Sequence, residues 1–199
     1  MSRRRWCWWC WHRRSASWTS TNCSAEELFP SAVVSTARAG DGIDDGSGVL
    51  PGQGRVLDLA VRTAERAEPE QRSRLRLAPS SGVADDHAAG LRRQLTILAE
   101  PQWQTICDQL GRDLPWTIRR ANLLVSDIEF GPEWSGKRLR IGAVVVLVHG
   151  EVTPCFRMEE QVSGLHDLMV SDWRGGVHCE VLKEGEIAVG DVLEMLEED

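Results

Sequence analysis

Short apolar stretches of strand length recur along this chain from residue 55 onward, and glycine, proline or aspartate residues punctuate them. Several alternate between apolar and polar side chains, as a strand with one buried face does. The candidate strands are residues 55–61, 93–98, 122–126, 138–141 and 143–148, with a return to strand from residue 177. Many short strands and few helices predict a mainly β protein, either a β-barrel or a closely related closed sheet.

Three strand segments carry more specific predictions. The continuous apolar run 143–148 is predicted to be buried on both faces. Near the C-terminus, Gly185, Gly190 and Asp191 punctuate a predicted last hairpin. Cys179 shares a strand face with two valines, so it is predicted to pack in the core.

Helices are predicted at two places. The first begins near Pro101, where proline fits a first helical turn, and ends before Gly111. Apolar residues recur at helical spacing within it, which places Cys107 on the buried face. Residues 159–170 are predicted to form a second, short helix.

The first fifty residues differ in composition from the rest. Five of the nine tryptophans lie between residues 6 and 18, and residues 37–54 are rich in glycine and aspartate. Because such a segment lacks the apolar periodicity of a core, residues 1–53 are predicted to be a disordered leader and linker. Residues 54–199 are predicted to form one folded domain, which suits a chain of 199 residues.

The net charge of −7 argues against general affinity for nucleic acid or for anionic membranes. The six cysteines are scattered and no convincing secretion signal accompanies them, so reduced thiols and a cytoplasmic location are predicted. Arginine supplies almost all the basic side chains, because only Lys137 and Lys183 are lysines. That bias suits bidentate binding of phosphate or carboxylate, although a GC-rich genome would produce it without functional meaning.

Cys155 follows Pro154, which has no amide proton and cannot continue a sheet ladder, so a strand is predicted to end here and a loop to begin. Arg157 is close in sequence and favours the thiolate, the form that acts as a nucleophile or a soft metal ligand. The residues alone leave open the alternative that Cys155 is a small apolar side chain packed in the core.

Five separated motifs occur in order along the chain, at residues 119–125, 140–142, 154–159, 173–177 and 189–191. In order and spacing they resemble those of the MOSC domain, named for the C-terminal domain of molybdenum cofactor sulfurases. The resemblance is closest to the small stand-alone bacterial members and covers roughly residues 54–192. The resemblance implies a β-rich barrel that binds molybdenum cofactor, in which a pterin dithiolene supplies two sulfurs to the metal.

The resemblance also implies roles for individual residues. Cys155 matches the cysteine that supplies a further sulfur ligand to molybdenum. Arg120 and Asn122 match an Arg-x-Asn pair that contacts the cofactor in the related amidoxime-reducing enzymes, and guanidiniums and amides suit an anionic tail and a pterin ring. Weaker candidates for cofactor binding are Arg174 with Gly175, and Arg62 with Thr63. The alternative for each arginine is a solvated surface charge.

One departure from the family concerns the turn that precedes residue 93. Relatives carry Gly-x-x-Gly-Asp-His, and this chain has Asp85 in place of the second glycine. Because aspartate enters left-handed geometry, the turn is expected to survive. The added carboxylate would weaken the binding of an anionic cofactor nearby. Asp86 and His87 are predicted either to transfer protons or to cap the turn.

Two functions follow from the resemblance. In the first, the protein is a molybdenum-dependent oxidoreductase that reduces N-hydroxylated substrates with electrons from a separate reductase, since the chain has no dinucleotide or iron–sulfur motif. In the second, Cys155 carries a persulfide that a partner cysteine desulfurase loads, and no pyridoxal phosphate is expected to bind this chain itself. A cofactor-binding module without catalysis is a third alternative. The site residues are expected to converge at one rim of the barrel, with the Cys155 sulfur facing a concave cleft.

Overall fold

A computed structural model describes residues 53–87 and 93–197. Within these ranges the chain forms eleven strands, three α-helices and two short 3₁₀ turns. The strands are β1 (Gln53–Val61), β2 (Glu70–Arg72), β3 (Arg74–Ala78), β4 (Gly82–Val83), β5 (Leu95–Ala99), β6 (Leu123–Ser126), β7 (Arg138–Ile141), β8 (Val144–Glu151), β9 (Val177–Lys183), β10 (Gly185–Ala188) and β11 (Val192–Leu196). Apart from Gln53, the predicted leader lies outside the described residues, so the division into leader and domain stays a prediction.

Seven strands close into a barrel in the order β1, β11, β7, β8, β9, β5, β6 and back to β1. Adjacent barrel strands are antiparallel, except that β5 and β6 run parallel. The pairing of Gln53 with Glu194 and of Arg55 with Val192 closes the ring. Closure satisfies the main-chain groups that an open sheet leaves at its edges. The mainly β barrel predicted from the strand pattern is confirmed.

The barrel interior is filled by apolar side chains from alternate positions of its strands. In β8, Val144, Val146 and Val148 are buried there, whereas Val145 and Leu147 are half-buried. The prediction that this run is buried on both faces is therefore wrong. A barrel strand directs one set of side chains into the core and the other set outward, where other parts of the chain cover them only partly. Cys179 on β9 packs in the interior, as predicted.

A second, three-stranded sheet has the order β10, β3, β4. β10 pairs with β3, with Gly185 opposite Leu77, while β11 belongs to the barrel. The predicted last hairpin is therefore wrong, because the two strands around Gly190 pair in different sheets. Gly190 has a left-handed φ of 94°, which lets the chain turn sharply between them. Local turn signals mark where a chain turns, and they do not specify which strand it pairs with next.

The first predicted helix is confirmed as α1 (Glu100–Leu110). Pro101 lies in its first turn, and Gly111 ends it with a left-handed φ of 63°. Cys107 and Trp103 are buried on one side of the helix, as its apolar spacing predicts. They pack with Leu98 and other side chains in a second apolar cluster, which covers the outer face of the barrel.

The helix predicted over residues 159–170 forms as two helices, α2 (Arg157–Gln161) and α3 (Leu165–Val170). The break occurs because Val162 is extended and Gly164 has a left-handed φ of 84°. The Glu159 carboxylate accepts a hydrogen bond from the Gly164 amide at 2.9 Å, which stabilises the break. Among the described residues, no helix has the length and apolar character needed to cross a membrane.

Candidate functional site

The loop between β8 and α2 carries Cys155 at the protein surface. β8 ends at Glu151, so the strand stops before Pro154 as the sequence predicts. The Cys155 side chain is exposed, and its carbonyl oxygen accepts a hydrogen bond from the Met158 amide at 2.9 Å where α2 begins. Cys155 is therefore not packed in a core, and its thiol is accessible to a ligand or a reagent.

The other two described cysteines, Cys107 and Cys179, are buried. Burial raises the pKa of both thiols, so both stay protonated at neutral pH. Because the thiolate is the reactive form, thiol chemistry in the described part of the chain falls to Cys155.

The strand pairing brings the segments of the site together. The C-terminal end of β1 meets the N-terminal ends of β5 and β6, and the C-terminal end of β8 meets the N-terminal end of β9. One row of paired residues joins the two groups, from Leu59 through Leu123, Ile97 and Val177 to Glu151. The residues just outside those strand ends are therefore neighbours in space although they are distant in sequence. Strand ends and loops at one rim are a common way for a rigid barrel to position functional side chains.

Arg119 connects the Cys155 loop to the glycine turn that precedes β9. It ends a 3₁₀ turn (Trp116–Arg119), and only 7% of the residue is exposed. Its guanidinium donates to the Gly175 carbonyl oxygen at 2.8 Å and to the Val152 carbonyl oxygen at 3.3 Å. These bonds hold a buried cation next to the loop that carries Cys155.

Arg119 forms a group with Arg62 and Arg93, which we call the arginine triad. Each of the three lies within electrostatic range of the other two. Burial, followed by the charge of Arg93, lowers the pKa of Arg119 to about 10, whereas Cys155 and Glu151 act in the opposite direction. Burial also lowers the pKa of Arg62. The charge of Asp86 acts on the pKa of Arg62 in the opposite direction.

Arg120 has a left-handed φ of 64°, and its side chain contacts a different segment from that of Arg119. The guanidiniums of Arg120 and Arg157 both donate to the Glu65 carbonyl oxygen, Arg157 at 3.5 Å. Both arginines line a cavity of about 350 Å³ between the loop after β1, the 3₁₀ turn and α2. Cys155 does not line this cavity, although Arg157 stands two residues away. The expectation that the sulfur itself faces the concave cleft is not met here.

Asn122 is buried just before β6, and its side chain is engaged within the protein. Its Oδ1 accepts a hydrogen bond from the Thr96 amide at 3.1 Å. Its Nδ2 donates to the Ala60 carbonyl oxygen at 3.3 Å and to the Asp86 carboxylate at 3.1 Å. Because both N–H groups are used, only the second lone pair of Oδ1 is left for a cofactor. The predicted role of Asn122 in cofactor binding stays a prediction.

The turn that departs from the family keeps its shape. Asp85 has a left-handed φ of 62°, as expected for an aspartate in place of glycine. The Asp86 carboxylate accepts from the Arg62 amide at 3.0 Å as well as from Asn122, so it caps the turn. Asp85 lines a different cavity from Arg120 and Arg157, one of about 280 Å³ that also includes Arg72, Arg74 and Arg76.

The remaining predicted residues are only partly brought together. The Arg174 guanidinium donates to Gln109 of α1 at 3.0 Å and to Asp172 at 2.9 Å, so it is directed toward α1. Gly175 is buried, and a Cβ there would overlap the Val152 carbonyl oxygen. Thr63 is exposed in the loop after β1. Cys155, Arg62 and Arg120 lie in one electrostatically connected region.

Two titratable side chains near the arginine triad carry no sequence signal. Glu151 Oε1 and His178 Nδ1 are buried and have no hydrogen-bond partner among residues 53–87 and 93–197. Burial raises the pKa of Glu151, and burial followed by the charge of Arg93 lowers the pKa of His178. The pKa shifts of both side chains arise from packing between strands, which no local motif reveals. For Arg119, the doubled arginine at positions 119 and 120 was a usable signal.

A closed β-barrel with few helices is the fold that the sequence resemblance to the MOSC domain implies. The chain belongs to the MOSC domain family, whose family model matches residues 84–194. This family is associated with the binding of molybdenum cofactor. The resemblance drawn from the sequence motifs is thus confirmed at the level of the family.

Solved structures with the same fold include the YuaD protein from Bacillus subtilis, which is 18% identical with a TM-score of 0.60. That match covers 74% of this chain and 97% of YuaD. YiiM from Escherichia coli is 16% identical with a TM-score of 0.58, over 73% of this chain and 71% of YiiM. YiiM from Geobacillus stearothermophilus is 14% identical with a TM-score of 0.58, over 72% of this chain and 75% of that YiiM. At these identities the likeness concerns the fold alone. No curated protein matches the chain.

Proposed function

We propose that this MOSC protein binds molybdenum cofactor and is an oxidoreductase component that reduces N-hydroxylated substrates, with Cys155 as the protein ligand to molybdenum. The observation that carries the proposal is the placement of Cys155. It is an exposed thiol within electrostatic range of the buried Arg119, on which Arg93 and Arg62 also act. A soft thiolate suits molybdenum, and guanidiniums suit the anionic tail of a pterin cofactor.

The donors present fit this cofactor in part. Within the described residues, no three histidine, cysteine or acidic side chains converge to hold a metal ion. A metal bound through Cys155 would therefore take its other ligands from the cofactor. Arg120, Arg62 and Arg119 are the cations able to hold an anionic tail, whereas Asn122 has no free N–H to offer. Asp85, which lines a different cavity, adds no carboxylate to the cavity of Arg120 and Arg157.

The bound cofactor would supply the electron-transfer chemistry. Reduction of an N-hydroxy group breaks the N–O bond, consumes two electrons and two protons, and releases water. The electrons would come from a separate reductase. This chain's own contribution is to hold the cofactor and to position the substrate by charge.

The test is the molybdenum content of protein purified from a host that makes molybdopterin. We expect the wild type to retain molybdenum and Cys155→Ser to lose it, because a hydroxyl is a poor soft-metal ligand. Cys107→Ser is the matched control, since the Cys107 thiol is buried in α1 and this variant should retain the metal. Equal molybdenum in the two variants would overturn the ligand assignment.

A second candidate function is sulfur transfer through a Cys155 persulfide. The exposure of Cys155 and its position outside the neighbouring cavity favour this function, because a carrier thiol must reach the active site of another protein. The Cys155 thiolate would attack the outer sulfur of a desulfurase persulfide, whose S–S bond breaks as the new one forms. Incubation with a cysteine desulfurase and cysteine, followed by mass spectrometry, should show one added sulfur at Cys155 and none in Cys155→Ser. Absence of that sulfur in the wild type would reject the carrier.

A further inference from the structure

We propose that α1 positions the loop that carries Cys155, acting through the glycine turn that precedes β9, which comprises residues 172–176. Gln102 and Arg174 are the positioning residues. They hold the beginning of the turn, and the end of the turn holds the Cys155 loop. The importance of this connection for catalysis rests on the proposed role of Cys155 as the molybdenum ligand. The connection itself can be tested without the metal.

The glycine turn begins with two residues in an unfavourable backbone geometry. Asp172 and Trp173 have left-handed φ values of 55° and 56°. Aspartate enters this region at moderate cost, but a residue as bulky as tryptophan is rarely found there. Such a geometry persists only where the surrounding contacts fix it. The contacts at the beginning of the turn therefore determine its shape.

α1 supplies those contacts through two glutamines. Gln102 is buried, and its Nε2 donates to the Asp172 carbonyl oxygen at 2.6 Å and to the Phe130 carbonyl oxygen at 3.0 Å. Its Oε1 accepts from the Phe130 amide at 3.0 Å. Gln109 accepts from Arg174 Nη1 at 3.0 Å, and Arg174 Nη2 donates to the Asp172 carboxylate at 2.9 Å. The helix thus holds Asp172 by its main chain and by its side chain.

The end of the turn is bonded to the strand end that leads to Cys155. The Gly176 amide donates to the Trp173 carbonyl oxygen at 2.9 Å, which closes the turn. The Gly176 carbonyl oxygen accepts a hydrogen bond from the Val152 amide at 2.8 Å. Because a Cβ at Gly175 would overlap the Val152 carbonyl oxygen, the two backbones are in direct contact. A displaced turn would therefore displace Val152, three residues before Cys155.

Arg119 joins the same two segments a second time. Its guanidinium donates to the Gly175 carbonyl oxygen at 2.8 Å and to the Val152 carbonyl oxygen at 3.3 Å. Since a guanidinium is planar and rigid, a shift of Gly175 is passed on to Val152 and is not absorbed. The buried side chain of Arg119 therefore links the turn to the loop.

The first experiment measures amide hydrogen exchange by NMR in full-length protein without cofactor. In Gln102→Leu the Val152 amide should exchange roughly 10-fold faster than in the wild type, because the turn that accepts its hydrogen bond loses its anchor. The Leu139 amide, on β7 in the barrel core, reports the opening of the whole domain. Gln104→Leu is the matched control, since the exposed Gln104 side chain bonds Asp108 within α1.

Arg174→Gln protects the test against a folding defect in Gln102→Leu, because it leaves the buried Gln102 amide intact. It should also accelerate exchange at Val152, whereas Arg112→Gln, at an exposed position after α1, should not. The proposal is overturned if, in both test variants, exchange at Val152 rises no more than exchange at Leu139.

The second experiment measures molybdenum in protein from a molybdopterin-competent host. Gln102→Leu should retain less molybdenum than Gln104→Leu, although the buried Gln102 side chain is not itself available as a ligand. A molybdenum content in Gln102→Leu equal to that of a wild type that holds the metal would overturn the positioning role. A wild type without molybdenum would instead refute the proposed function, and hydrogen exchange would still decide whether α1 holds the Cys155 loop.

Discussion

Replacement of Asn122 by alanine should destabilise the protein strongly even when no cofactor is present. The change removes the acceptor of the Thr96 amide and the donor to Asp86, and both of these residues are only 6% exposed. A buried polar group that loses its partner costs about 1–3 kcal/mol. The unpaired Thr96 amide and the lost hydrogen bond to the Asp86 carboxylate, which keeps its bond from the Arg62 amide, together give about 2–6 kcal/mol before the bond to the Ala60 carbonyl oxygen is counted. This is a large part of the roughly 5–15 kcal/mol that typically stabilises a domain.

The measurement is urea unfolding followed by tryptophan fluorescence and by circular dichroism. Gln104→Ala is a suitable control, because the exposed Gln104 side chain bonds only Asp108 within its own helix, and its loss should cost less than about 0.5 kcal/mol. Asn122→Asp should be no more stable than Asn122→Ala, since a carboxylate accepts from Thr96 but repels Asp86. An unfolding free energy for Asn122→Ala within about 0.5 kcal/mol of the wild type would refute this account.

Three further predictions concern a glycine, a histidine and the thiol. Gly176→Ala should lower the stability of the protein more than Gly136→Ala does. Both glycines have a positive φ, but only at Gly176 would a Cβ overlap the Ile97 carbonyl oxygen. The melting temperatures of the two variants test this. The lowered pKa of His178 means that the unfolded chain binds its proton more tightly, so stability is lost as pH falls below about 6.5. Between about pH 7 and pH 5, the unfolding free energy of His178→Gln should change less than that of the wild type. The same change in both proteins would contradict this. Iodoacetamide should alkylate Cys155 in the native protein before the two buried cysteines of the described region, as peptide mapping would show; simultaneous labelling would contradict the exposure difference.

The sequence by itself determined the elements whose signals are local. Proline in a first turn and glycine just past the last turn define the ends of α1, because each residue suits one backbone geometry there. The strand predicted over residues 138–141 forms at those residues, and Pro154 marks the loop that exposes Cys155. The order and spacing of five motifs were enough to identify the family, because each motif is a local feature of the sequence and the five together are specific.

Only the tertiary structure decided which strands pair and which side chains meet. Local residues do not state that β10 pairs with β3 or that β8 has a half-exposed face, because pairing depends on segments far away in the chain. The arginine triad joins positions 62, 93 and 119, whose charges become neighbours when β1, β5 and β6 meet at one end of the barrel. Asn122 has the residue type expected for a cofactor contact, but in the folded protein its N–H groups donate to the Ala60 carbonyl oxygen and to the Asp86 carboxylate. Long-range closure of the sheet, which no short window of residues encodes, is the physical reason for each of these outcomes.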